Sequence, residues 1–133
     1  MTAAAIDDDI LDCAAWRAML DREGLVAADA WVGVLTKDDF AARAGRVLVW
    51  RGTPSGASVA LRDYRGAFDA DVAMLLVADA DALAAVLADG LPQVPQLVRR
   101  GRLHPYMLRT LEDLEDAGLA DFVEDFGLVF PRH

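Results

Sequence analysis

The hydrophobic pattern of this chain changes period several times, and each change marks an element. VAMLLV, residues 72–77, is a continuous apolar run of the length expected for a central strand covered on both faces. Three shorter β-rich runs precede it: WVGVLT at 31–36, VLVWR at 47–51 and ASVALRDY at 57–64. The GTPSG segment between the last two predicts a hairpin with a longer loop.

Helical patterns fill the remainder. Over 7–22 the acids Asp7, Asp8 and Asp9 suit the positive end of a helix dipole, and Gly24 stands just past the end. Its apolar residues divide between an Ile10, Cys13, Trp16, Leu20 side and a Leu11, Ala14, Ala18 side, so the buried face stays open. Thr36 and Asp39 form an Asp variant of the capping box and predict a short helix over 37–44, with Gly45 in the C′ place. Asp79 or Asp81 caps a helix over 81–89, where Leu83, Val86 and Leu87 recur at helical spacing before Gly90. LPQVPQ, with two prolines three apart, reads as a loop. Pro105 fits the first position of a helix over 105–117, with Met107, Leu108, Leu111 and Leu114 inward and Gly118 as its stop. A last helix over 119–126 follows from Leu119, Phe122, Val123 and Phe126, closed by Gly127. This succession predicts one α+β domain spanning 1–133, with a sheet of about four strands covered by helices on at least one face. Strand order is left open.

Composition narrows the class. Ala supplies 25 of the hydrophobic residues, so the core's bulk must come from Leu, Val, Phe and Trp. Whether Trp16, Trp31 and Trp50 are core anchors or interface aromatics does not follow from their flanks. The single cysteine, Cys13, excludes an intramolecular disulfide and any thiol framework for zinc, and it suits a core position in a reducing compartment. MTAAAIDDDI lacks the basic and apolar regions of a secretory signal, and no apolar run approaches a bilayer span. The expectation is a cytosolic protein. Arg accounts for 12 of the 13 bases, which with the abundant Ala and Gly matches GC-rich, bacterial-like codon usage.

Charge is the strongest functional signal. The formal value of −9 repels nucleic acid and anionic membranes and attracts a basic partner. The acids are concentrated late in the chain: Glu112, Asp113, Glu115, Asp116, Asp121, Glu124 and Asp125 follow one another without an intervening base. Their mutual repulsion is relieved by a basic partner, and Asp7, Asp8, Asp9 and Asp12 join the same surface if the terminal helices pack together. Against them stand Arg99, Arg100, Arg102, His104 and Arg109, which fall around the expected helix start at Pro105. A helix start with arginines makes an anion-binding candidate, although Pro105 removes one N–H and no Gly-rich cradle precedes it. A second basic group, Arg43, Arg46, Arg51, Arg62 and Arg65, reads as a solvated sheet face on which Arg62 and Tyr64 lie together.

No catalytic residue, cofactor or metal is assigned. His104 and His133 are the only histidines, which removes His-based triads and two-His metal motifs. Asp79 and Asp81 form a DxD pair better explained as a helix cap. The leading expectation is a non-enzymatic acidic interaction domain that binds a basic protein partner, with the physical logic of small acidic inhibitors such as immunity proteins, or of an adaptor. The alternative is a regulatory domain binding an anionic or phosphate ligand through the Arg99 to His104 segment.

Overall fold

The computed structural model describes residues 10–25, 27–109 and 111–116, with backbone alone at 111, 114 and 115. It is α+β, as expected. Helix α1 spans Cys13–Glu23, and strand β1, Trp31–Thr36, leads directly into α2, Lys37–Ala42. Strands β2, Gly45–Thr53, and β3, Gly56–Tyr64, form a hairpin, and β4, Val72–Ala78, leads into α3, Ala80–Asp89. Then come α4, Gln93–Arg99, strand β5, Leu103–Met107, and α5, Leu111–Asp116. The five strands lie in the order β3-β2-β1-β4-β5. Only β1 and β4 run parallel among these pairs; the other neighbours are antiparallel.

Local signals explain most of these elements. Asp12 is the N-cap of α1, its carboxylate accepting the Ala14 N–H at 2.9 Å, and Gly24 ends the helix in the left-handed region. The helix buries its Trp16, Met19, Leu20 side. Thr36 Oγ1 accepts the Asp39 N–H at 3.2 Å, and Asp79 Oδ1 accepts the Ala82 N–H at 2.7 Å. Both caps are where the spacing places them. All seven residues of β4 are buried, as its unbroken apolar run requires.

Several details differ from the sequence reading. The hairpin turn is only two residues, Pro54 and Ser55, because the strands extend through Gly52 and Thr53 on one side and Gly56 on the other. Helix α2 ends at Arg43, at φ 53°, and not at Gly45. Gly45 instead opens β2 at φ 132°, where a Cβ would collide with the Asp39 carboxylate. LPQVPQ is not a loop but the start of α4, with Pro92 as N-cap and Pro95 third in the helix. The N–H groups of a first turn lack intrahelical partners, so proline costs nothing there.

Two further corrections concern Pro105. Residues 103–107 form an edge strand, and the helix expected over 105–117 begins only at Leu111. Proline's fixed φ and missing donor suit an edge strand as well as a first helical turn. Pairing with β4, where Leu76 lies opposite Pro105, decides between them. The first helix does not run unbroken over 7–22, because Asp12 is extended and caps a helix that begins at Cys13; Asp7 to Asp9 and the helix expected over 119–126 lie outside the described residues.

Each face of the sheet carries its own core. The larger cluster joins α1, α3 and α4 to Val32, Val34, Leu48, Trp50, Met74 and Leu76. The smaller one, on the opposite face, holds Leu35, Val47, Val49, Tyr64, Val72, Leu75 and Val77, with Phe40 of α2 packed against it. Trp16 and Trp50 belong to the first core, and the Trp16 indole donates to the Ile10 carbonyl at 2.7 Å. No described helix is long and apolar enough to cross a membrane.

Candidate functional site

The arginine segment occupies a helix end opposite in polarity to the one expected. Arg99 is in the last turn of α4 and Arg100 is its C-cap, at the negative end of the dipole, where bases are favoured. Arg102 approaches Asp79 at 3.5 Å, beside the end of β4. His104 is half-buried on β5 opposite Val77. Arg109 lies beyond the other end of β5 and is exposed. Between Arg102 and Arg109 run seven steps of largely extended chain, roughly 20 Å. The strand therefore separates residues that a helix would have grouped, and the donors of a helix start at Pro105 are absent.

The acidic candidates are exposed where they are described. Glu112, Asp113 and Asp116 lie on α5. Glu112 and Asp116 make no ion pair among the described residues. The Glu115 side chain and residues Asp121, Glu124 and Asp125 fall outside the description. Asp12 is occupied as a cap.

The second basic group is partly built into the sheet. Arg62 donates to Asp71 through Nη1 at 2.8 Å and Nη2 at 2.9 Å, and Nη1 also reaches Asp69 at 3.2 Å. That bidentate bond holds the Asp71 carboxyl below its ordinary pKa and pushes the Arg62 guanidinium up. The Arg51 and Arg62 guanidiniums sit over the Trp31 ring, 5.2 and 5.3 Å from its centre, and Arg51 Nη1 donates to the Ala28 carbonyl at 3.0 Å. Trp31 is thus half-buried in a charged cluster that ties β3 to the chain entering β4. Arg65 lies 4.0 Å from Asp63, both exposed. The Arg46 N–H donates to Asp39 Oδ2 at 3.3 Å.

A cleft of about 550 Å³ opens where β1 and β4 end side by side, with Thr36 opposite Ala78. It follows from topology. Helix α2 leaves β1 toward the smaller core, whereas α3 leaves β4 toward the larger one. Adjacent parallel strands whose connections diverge to opposite faces leave a crevice beyond their carboxyl ends. Ile10 and Leu11 supply its apolar wall, and Thr36, Lys37, Asp38, Asp39, Arg46 and Asp79 its polar side. Sequence reasoning finds Thr36 and Asp79 as caps but not the cleft. The two strand-to-cap junctions, LTKDD and VADAD, are the available signal, and their adjacency depends on strand order.

Among the described residues, no group of three or more His, Cys, Asp or Glu side chains is placed to hold a metal ion. Cys13 is a half-buried free thiol packed against the larger core.

No protein-family model matches this chain, and no curated protein matches it. Among solved structures it is similar to a conserved hypothetical protein of Thermus thermophilus, described as "possibly sterol carrier protein". The TM-score is 0.45 at 16% identity, over 95% of this chain and 90% of that one.

Proposed function

We propose that this chain is an interaction domain that binds a basic protein segment through the acidic surface presented by α5. Glu112 and Asp116 are exposed and make no ion pair among the described residues, and this is the observation that carries the reading. Two of the arginines are engaged elsewhere: Arg62 with Asp69 and Asp71, and Arg102 with Asp79. The surplus behind the charge of −9 therefore stays available to a partner, raising its association rate and setting its orientation.

The test separates location from net charge. An arginine-rich decapeptide is titrated by calorimetry into the wild type, into Glu112→Lys/Asp113→Lys/Asp116→Lys, and into the charge-matched control Asp29→Lys/Asp81→Lys/Asp89→Lys. The α5 variant is expected to bind roughly tenfold more weakly or worse, and the control within about twofold of wild type. Wild-type affinity is expected to fall as sodium chloride rises toward about 0.3 M. Equal losses in both triple variants would reduce the effect to net charge and sink the proposal.

A further inference from the structure

The edge strand β5 carries an exposed apolar surface between two charged ends. Of the three large hydrophobic residues exposed among those described, two lie along it: Tyr106, at 41%, and Leu108, at 40%. Leu108 continues the strand's pairing, its N–H donating to the Ala73 carbonyl at 2.9 Å. Alternation along an antiparallel ladder then turns the backbone of Leu103, Pro105 and Met107 outward. The middle of that outward edge has no N–H to donate, because Pro105 occupies it. A neighbouring molecule therefore meets β5 through side chains and not by extending the sheet.

The two ends of the strand differ in sign. Before it, Arg99 and Arg100 are exposed at the end of α4, with Arg102 drawn to Asp79. After it, Glu112 and Asp116 are exposed on α5, where they and Asp113 outnumber Arg109. Arg99, Arg100, Glu112 and Asp116 make no ion pair among the described residues. Two copies set side by side about a two-fold axis at Pro105 run their β5 strands in opposite directions, so the basic end of each lies against the acidic end of the other. A two-fold contact requires a self-complementary patch, and an edge with ends of opposite sign is one. We propose that the β5 edge is a homodimer interface in which Arg99 and Arg100 of one copy face Glu112 and Asp116 of the other, with Tyr106 and Leu108 packed between these contacts. This rests on the acidic reading of α5 above, with the chain itself supplying the basic segment. The charge of −9 on each copy opposes approach from a distance, but physiological salt screens repulsion beyond about 8 Å and leaves the contacts at the strand ends to act.

Sedimentation equilibrium of the full chain at physiological salt tests this. The wild type is expected to associate reversibly to a dimer. Arg99→Glu/Arg100→Glu and Glu112→Arg/Asp116→Arg each set like charges together, and each is expected to weaken the dimer by roughly tenfold or more. The variant with all four substitutions exchanges the two ends while keeping the net charge of −9, and is expected to dimerise as the wild type does. All four positions are exposed, and melting curves matching the wild type establish that each variant is folded. A wild type that stays monomeric at every concentration overturns the proposal. So does a dimer that neither pair of substitutions weakens, or a fourfold variant that stays monomeric. The arginine-rich decapeptide separates this from the reading beneath it: a monomeric wild type that still binds the peptide through α5 removes the homodimer alone, and one that binds no peptide removes both.

Discussion

Gly33 lies on the central strand, where the smaller core closes over it. A Cβ there would come within 2.9 Å of Leu75 Cδ2 and 3.2 Å of Val47 Cγ2. Both neighbours are buried, so neither has free space to yield into. Gly33→Ala is expected to destabilise the fold by about 1–3 kcal/mol, measured by urea denaturation, and an unchanged midpoint would show that the core relaxes around the methyl group. Asp71 acts through charge. Its folded pKa lies below the ordinary 3.8 because Arg62 grips the ionised form, so the unfolded chain binds the proton more readily. The resulting stability is present above about pH 4 and lost as pH falls through the depressed folded value. Asp71→Asn should remove that part of the acid sensitivity, seen as a smaller difference between melting temperatures at pH 6 and pH 3. The effect is modest, since the Asp71 side chain is 45% exposed and water screens the pair. Parallel curves for both proteins would mean the ion pair does nothing for stability.

At the level of elements, α1 does more than cover the core. It packs against β3, an edge strand of nine residues, and satisfies part of the strand's outward backbone. Asp21 Oδ1 accepts the Ala57 N–H at 2.7 Å, and Arg17 Nη2 donates to the Val59 carbonyl at 3.3 Å. An open edge of that length is a template for pairing with another copy, and charged side chains over it are a common safeguard. Arg17→Ala/Asp21→Ala is expected to produce concentration-dependent self-association in sedimentation velocity. If the double variant sediments like wild type at every concentration, the edge is protected by something else. The opposite edge, β5, carries its own safeguard in Pro105, which has no N–H to offer. The same residue explains why the local pattern of this segment misleads. Met107, Leu108, Leu111 and Leu114 keep helical spacing although Met107 ends a strand and Leu111 begins a helix.

At the scale of the whole molecule, the surplus of acids divides into engaged and free groups. Asp12, Asp39 and Asp79 hold backbone N–H groups at helix or strand starts, and Asp69 and Asp71 hold Arg62. Engaged carboxylates stabilise the fold, whereas Glu112 and Asp116 on α5 make no ion pair among the described residues. The arginines are dispersed in the same way: α4 ends in Arg99 at one end of β5, and Arg109 lies past the other.

The elements with strong local chemistry are legible in the sequence alone. Thr36 with Asp39, Asp79 with its following apolar repeat, Gly24 after α1 and the unbroken VAMLLV run each answer to forces acting over a few residues, and the α+β class follows from their succession. Pro92, Pro95 and Pro105 are ambiguous, because a missing N–H is equally harmless in a first helical turn and on a sheet edge. Pairing with β4 resolves that ambiguity for Pro105, and pairing is a contact between residues far apart in sequence. The candidate cleft depends on the same kind of information. LTKDD and VADAD each contain a strand ending in a cap, but only the order β3-β2-β1-β4-β5 sets those ends together, and only packing sends α2 and α3 to opposite faces. Local sequence determined where the chain turns and which segments are apolar. Tertiary structure decided which ends meet, because hydrogen bonding between strands and burial on two sheet faces are settled by the chain as a whole.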